Sequence, residues 1–243
     1  MLGLPSVLLC GRRDERAYDA LVKYGIRPHR LYPPRDAELP PRGCYSAHLM
    51  ALKFARQHNW FPCLIFEDNV DPTNDLDLSS LSASIKYALQ LNPSIVHLSR
   101  FPFGDANTVV GMGAHHRTSH DHVIELHPKS LNGLCAYVAT TETLALWPRW
   151  RDRAIDTEME DWPRRMAIVP MPFTRAGLTT TNKWTVGGWM NGRPVKLPAW
   201  IYPIIPNYCR GAQYLDIWEG RVFTAMLIAV LGSAVMLHYR RKR

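Results

Sequence analysis

The sequence has few cysteines, and none of them is spaced as a metal-binding or redox pair would be. Its five cysteines include no C-x-x-C pair and are widely separated along the chain. A zinc site or a disulfide framework is therefore not expected. Three of the cysteines lie within apolar runs, which is typical of small core residues; these are Cys10, Cys63 and Cys135.

The net positive charge is small outside the extreme C-terminus. The formal net charge is +8, but the last four residues are all basic, and without them it is 8 − 4 = +4. The basic cluster follows an apolar run and does not mark a helix or a groove. This pattern favours a membrane surface, and a nucleic-acid partner is not expected.

The N-terminus lacks the basic segment that precedes the apolar stretch of a signal peptide. Its apolar stretch is short and is interrupted by Pro5. A signal peptide is therefore not expected, and residues 7–10 are predicted to form a first buried β-strand.

The C-terminus contains a run of sixteen uncharged residues, 222–237, which the basic tail follows. The run predicts a single C-terminal membrane anchor, residues 222–243, behind an aromatic-rich linker, residues 199–221. A hydrophobic helix packed on the domain is the alternative. The orientation stays open, because the basic tail favours a cytoplasmic C-terminus and the missing signal peptide favours a cytoplasmic domain. A helix lying in the membrane interface satisfies both.

The rest of the chain, residues 1–198, alternates apolar strand-like runs with amphipathic segments. With 47% hydrophobic and 21% charged residues, it predicts one α/β domain with a mainly parallel central sheet flanked by helices. The predicted strands are 7–10, 26–31, 63–66, 95–98, 123–126 and 135–139. The predicted helices are 14–24, 46–58, 78–91 and 141–147, and 33–42 and 104–122 are predicted loops.

Three polar residues leave the predicted strand 63–66 abruptly: Glu67, Asp68 and Asn69. Ligands of mainly parallel sheets bind at the carboxyl ends of the strands. Carboxylates there are suitable ligands for Mg²⁺ or Mn²⁺. Taken alone, the triplet is also explained by turn chemistry.

The surrounding motifs resemble glycosyltransferase family 25, the lipooligosaccharide and procollagen galactosyltransferases. The similar segments are R-R-D-E-R (12–16), G-C-Y-S-A-H (43–48), L-I-F-E-D-N-V (64–70) and G-L-C-A-Y-V-A-T (133–140). The resemblance covers roughly residues 5–180. Two positions depart from the family pattern: Ala47 stands where the family usually has Ser, and Asn69 where it has a third acidic residue.

The resemblance implies a GT-A fold, a UDP-sugar donor, a divalent cation (Mn²⁺ or Mg²⁺) and inversion at the anomeric carbon. It implies transfer of a hexose, galactose or glucose, to a hydroxyl of a glycan, lipid or protein acceptor. It implies that a general base comes from the acidic stretch 156–161, with Asp161, Asp156 and Glu160 as candidates. The implied donor-binding residues are Arg13, Arg16, His48, Glu67 and Asp68, and the implied metal ligands are Asp68, Asn69 and Glu67.

Other interpretations remain for several of these features. Asn69 keeps open a catalytically inactive, membrane-anchored sugar-binding protein, and another α/β enzyme could share a strand that ends in carboxylates. Arg13 and Arg16 could form surface salt bridges with the neighbouring acidic residues. If residues 156–166 are helical, Asp156 and Glu160 share a face. The segment with His115, His116, His120 and His122 matches no common zinc spacing, and a solvated loop is favoured.

Overall fold

A computed structural model describes residues 2–11, 14–34, 36, 38–99, 115–126, 134–150, 155–169, 171–175, 189–190, 193–194, 229–230 and 232–233. The strands are β1 (Ser6–Leu9), β2 (His29–Leu31), β3 (Cys63–Glu67), β4 (Val70–Pro72), β5 (Ile95–His97), β6 (His115–Arg117), β7 (Val123–Leu126), β8 (Ala136–Ala139), β9 (Arg165–Ile168), β10 (Phe173–Arg175), β11 (Trp189–Met190) and β12 (Arg193–Pro194). The helices are α1 (Asp14–Lys23), α2 (Pro40–Gln57), α3 (Leu78–Gln90), α4 (Thr141–Leu146) and α5 (Ile155–Glu158), which a 3₁₀ turn, Met159–Asp161, follows.

The described strands form one mixed sheet of eight strands in the order β2-β1-β3-β8-β5-β9-β7-β6. The pairings of β1 with β2 and β3 and of β5 with β9 are parallel, whereas β8 and β7 are antiparallel to their neighbours. Six of these eight strands therefore run in one direction, and β7 and β8 run against them. The predicted α/β class with a mostly parallel sheet flanked by helices is confirmed.

Each face of the sheet carries its own apolar core, because alternate side chains of a strand point to opposite faces. On one face, Leu8 and Phe66 pack with residues of α1 and α3. On the other face, Val7 and Ile65 pack with residues of α2 and α5. This three-layer arrangement explains why β1 and β3 read as continuous apolar runs, and why Cys10, Cys63 and Cys135 are buried, as predicted.

Helix α2 begins earlier than the sequence pattern indicated. Residues 33–42 were predicted to be loop and the helix was predicted to start at residue 46, but α2 begins at Pro40. Prolines occupy its first two positions, where the missing N–H would have no partner within the helix. The early start adds more than a turn of helix, and it places Cys44 within α2.

Other predicted helices agree closely with the structure. α1 ends where Gly25 adopts a φ of 74°, a conformation that costs glycine little and that terminates helices. α3 begins after Asp77, whose carboxylate accepts a hydrogen bond from the N–H of Ser79 at 2.9 Å. The continuous helix considered for 156–166 does not form, because a 3₁₀ turn follows α5 and strand β9 starts at Arg165.

Short strands were the main omission of the sequence analysis. Residues 115–117, predicted to be part of a loop, form β6 against β7. β9 ends at Ile168 and β10 begins at Phe173. β10 pairs with β4, which directly follows the Glu67-Asp68-Asn69 triplet. The sequence pattern does not predict β4, because the strand has only three residues and its last residue is a proline.

Most of the apolar run 222–237 lies outside the described residues; 229–230 and 232–233 are helical. Within the described ranges, none of the helices has the length and apolar character needed to cross a membrane. Cys209 and the linker 199–221 also lie outside the described residues.

Candidate functional site

The Glu67-Asp68-Asn69 triplet lies at the carboxyl edge of the central sheet, as the sequence predicted. Glu67 is the last residue of β3 and stands opposite Leu9, the last residue of the parallel neighbour β1. The chain leaves both strands at this edge, so the segments that follow β1 and β3 lie side by side. This is where ligands bind in open sheets with mainly parallel strands.

Asp68 packs directly against the backbone that follows β1. A Cβ built on Gly11 would overlap Oδ2 of Asp68 and would come within 2.7 Å of its Cγ. A larger residue than glycine at position 11 would require the Asp68 carboxylate to rotate away from this position. The Asp68 carboxylate is therefore held against Gly11, which follows β1.

Glu67 faces the opposite way, towards α2. It has the same parity in β3 as Cys63 and Ile65, which belong to the core cluster on that side. Its Oε1 lies 3.1 Å from Nε2 of His48, and Nδ1 of the same ring lies 3.0 Å from the hydroxyl of Tyr137. Glu67, His48 and Tyr137 therefore form a hydrogen-bonded chain from the site edge into the core.

The inner end of this chain is fully buried. His48 is 1% exposed and Tyr137 0%. Burial, and then the charge of Glu67, raise the pKa of the Tyr137 hydroxyl well above its ordinary value. Tyr137 is thus a neutral hydrogen-bonding partner across the physiological range, and it fixes the orientation of the His48 ring.

Cys44 completes a compact group of ligand-type side chains. Cys44 and His48 lie four residues apart on α2, so both point from one face of the helix. One ligand atom from each of Cys44, His48 and Glu67 falls within a group whose atoms all lie within 4.8 Å of one another. Cys44 forms no disulfide.

The predicted metal ligands divide into two groups. Glu67 and Asp68 present carboxylates at the sheet edge, and carboxylate oxygens suit a hard divalent cation. The Asn69 side chain is turned elsewhere, since its Oδ1 accepts a hydrogen bond from the Cys135 thiol at 3.3 Å. The Asp68 carboxylate therefore suits Mn²⁺ or Mg²⁺, whereas the Glu67 carboxylate is turned towards α2 and the Asn69 oxygen towards Cys135.

Arg16, predicted to bind the donor, is paired with Asp71 in β4. Nη2 of Arg16 lies 3.3 Å from Oδ2 of Asp71, and both side chains are exposed to solvent. The pair brings the start of α1 close to the strand that follows the triplet. Arg13, the other arginine predicted for this role, lies outside the described residues.

The acidic stretch predicted to supply a general base is placed beside α2. Ile155, Met159 and Trp162 pack in the core cluster that α2 shares. Asp161 is exposed at the end of the 3₁₀ turn. Asp156 lies in α5 and Glu160 in the 3₁₀ turn, but their side chains lie outside the described ones. The assignment of the base among these three residues stays a prediction.

The histidine-rich segment is structural where it is described. Nδ1 of His122 lies 3.0 Å from the carbonyl of Val169, and Nδ1 of His120 accepts the backbone N–H of His122 at 3.2 Å. His115 and His116 lie in the edge strand β6. None of the described histidines of this segment belongs to the Cys44–His48–Glu67 group.

Sequence reasoning gave no role to Cys44, Gly11 or Tyr137. Cys44 and Tyr137 lie inside segments that were compared with the family, but neither residue type at that position indicates a site by itself. The i, i+4 spacing of Cys44 and His48 becomes a signal once α2 is known to begin at Pro40.

Comparisons with known proteins add little. No family model matches the chain, and no curated protein matches its sequence. Among solved structures, the crystal structure of A197 from STIV is similar to this chain with a TM-score of 0.42 and 14% sequence identity. The match covers 68% of this chain and 81% of that chain. A superposition of this quality indicates no function.

Proposed function

We propose that the protein is a GT-A-like hexosyltransferase that uses a UDP-sugar donor and a divalent cation. The observation that carries the proposal is the position of Asp68. It lies at the carboxyl end of β3 and packs against Gly11, which follows the parallel neighbour β1. A carboxylate held at that edge is suited to a cation that a nucleotide diphosphate also binds. The resemblance to glycosyltransferase family 25 supplies the choice of reaction.

In this reaction, a base takes the proton of the acceptor hydroxyl, and the acceptor oxygen attacks the anomeric carbon as the bond to the diphosphate breaks. Asp161, Asp156 and Glu160 are the candidates for the base. Asp68 would hold the cation, which would neutralise the charge that develops on the leaving diphosphate. Arg16, which pairs with Asp71 at the surface, would exchange this partner for a phosphate, which arginine binds well.

The acceptor is a hydroxyl of a glycan, a lipid or a protein. Association of the C-terminal segment with a membrane, which the run 222–237 and its basic tail favour, would bring the site near membrane-displayed acceptors.

A second candidate is a membrane-anchored sugar-binding protein without transferase activity. The hydrogen bond from Cys135 to Asn69 favours it, because it turns the oxygen at the third position of the motif towards Cys135. The two candidates differ in turnover but share donor binding.

The test is release of UDP from a panel of UDP-sugars by the full chain, with Mn²⁺ and with EDTA. The proposal predicts that one donor is turned over and that EDTA abolishes its turnover. Binding of a UDP-sugar without turnover would support the second candidate. If protein with an intact unfolding transition neither bound nor turned over any UDP-sugar, both candidates would be overturned.

A further inference from the structure

We propose that Cys44, His48 and Glu67 bind a zinc ion, at a site distinct from the carboxylate that serves the sugar donor. The two sites share the edge of the sheet but face opposite ways. Glu67 points towards α2, and Asp68 points towards Gly11. The proposal does not depend on sugar transfer.

The three ligands come from two rigid elements. Cys44 and His48 occupy adjacent turns of one face of α2, and Glu67 terminates β3. Residues of α2 and β3 pack in one core cluster. Ligands held on packed helices and strands keep their separation better than ligands on loops.

The distances suit zinc. Bond lengths of about 2.0–2.2 Å at tetrahedral angles place a nitrogen and an oxygen ligand about 3.3 Å apart. Nε2 of His48 and Oε1 of Glu67 are 3.1 Å apart. All ligand atoms of the group lie within 4.8 Å. A sulfur ligand needs roughly 3.5 Å to its neighbours, so small side-chain rotations close the site.

The donor set and its charge select the metal class. A thiolate, an imidazole and a carboxylate suit zinc, whereas Mg²⁺ and Mn²⁺ prefer oxygen ligands alone. A thiolate and a carboxylate balance the two positive charges of the ion. That balance matters because His48 is 1% exposed and Glu67 has a side-chain exposure of 15%, where an unbalanced charge is costly.

Tyr137 provides the support that zinc-binding histidines usually have. When Nε2 of a histidine binds a metal, its Nδ1–H donates to a partner that fixes the ring. The Tyr137 hydroxyl lies 3.0 Å from Nδ1 of His48 and accepts that hydrogen bond. Three protein ligands leave the fourth coordination position for a water molecule, as in catalytic zinc sites.

The first experiment measures metal content. The full chain, dialysed against a zinc buffer and then against metal-free buffer, should retain about one zinc per chain by mass spectrometry of the elements. Cys44→Ala should lose most of it. Cys63→Ala is the matched control, because it removes a buried thiol at the opposite end of β3. Absence of zinc in the wild type, or equal zinc in both variants, would overturn the proposal.

The second experiment identifies the ligands. Cobalt(II) in place of zinc should give the visible bands of tetrahedral cobalt and a near-ultraviolet thiolate-to-metal charge-transfer band. The charge-transfer band should disappear in Cys44→Ala and persist in Cys63→Ala. A cobalt spectrum without that band contradicts the proposal. Circular dichroism and urea unfolding of both variants separate metal loss from unfolding.

These readouts fail independently of the proposed function. A transferase that turns over a UDP-sugar but retains no zinc overturns only the zinc site. A zinc-loaded chain that binds no UDP-sugar overturns only the transferase.

Discussion

Replacing Gly11 with alanine tests whether the Asp68 carboxylate lies where the structure places it. The backbone of Gly11 does not itself require glycine, since its φ is not in the left-handed region. The three heavy atoms nearest to the new Cβ all belong to Asp68: Oδ2, Cγ at 2.7 Å and Cβ at 3.4 Å. Gly11→Ala should therefore destabilise the protein by about 1 kcal/mol, the low end of the range for overpacking, because the nearest atoms belong to a carboxylate that can rotate away.

A double-mutant cycle separates this clash from any other effect of the alanine. In an Asp68→Ala background the two offending atoms are absent, and the remaining Cβ contact at 3.4 Å is ordinary. There the same Gly11→Ala change should cost no more than about 0.5 kcal/mol, the usual limit for sites that do not interact.

The assay is urea unfolding of the wild type, the two single variants and the double variant, with equal m-values as the condition for comparison. Gly232→Ala is a control for the substitution itself, because an added Cβ there meets nothing within 4 Å. Equal costs of Gly11→Ala in both backgrounds would refute the placement of Asp68, and with it the geometry on which the donor site rests.

Three further predictions concern the surroundings of the site. Arg16→Ala should change the free energy of unfolding by less than about 1 kcal/mol, because its ion pair is exposed. The same change should raise KM for the donor with little change in kcat. Unchanged steady-state kinetics would exclude a donor-binding role for Arg16. Burial raises the pKa of the Cys63 thiol from 9.0 to about 12. Stability measured by urea unfolding should therefore fall as the pH rises through that window, since the unfolded chain loses the proton first. Cys63→Ala should make the fall less steep, and an identical slope would contradict the burial of the thiol. Asp77→Ala should cost about 1 kcal/mol by removing the N-cap of α3, and a loss within error in thermal unfolding would count against that cap.

The elements that the sequence predicts well are those with a long, regular pattern. β8 is a continuous apolar run and β3 is one up to Glu67. α1 and α3 carry a helical period, and Gly25 and Asp77 mark the end of α1 and the start of α3. In these segments the local preference and the tertiary packing agree, so the pattern alone is sufficient.

The errors arise where the pattern is short or ambiguous. Pro40 and Pro41 suit a loop and the first turn of a helix equally well, and the packing of α2 on the sheet decides between them. β4 and β10 are three residues each, and β4 becomes visible only through its pairing with β10, about a hundred residues later in the chain.

The same limit applies to the site. The position of Glu67 and Asp68 at a strand end follows from the apolar run before them. Their opposite orientations do not, because they depend on the register of β3 with β1 and on the contact with Gly11. The contact between His48 and Tyr137 joins residues 89 positions apart, and no local pattern encodes it.

The central claim is that the carboxyl edge of β3 carries the donor site, and paired carboxylate deletions at the two edges of the sheet test it most directly. Asp68→Ala removes the carboxylate at that edge. Glu142→Ala removes an exposed carboxylate from α4. Helix α4 follows β8, whose last residue, Ala139, pairs with Cys63 at the start of β3. Glu142 therefore lies at the opposite edge of the sheet from Asp68. The full chain should release UDP from its donor. Asp68→Ala should lower the rate of release at least about a hundredfold, as loss of a group that stabilises transition-state charge does. Glu142→Ala should leave the rate unchanged. Equal rates in the two variants would contradict the account.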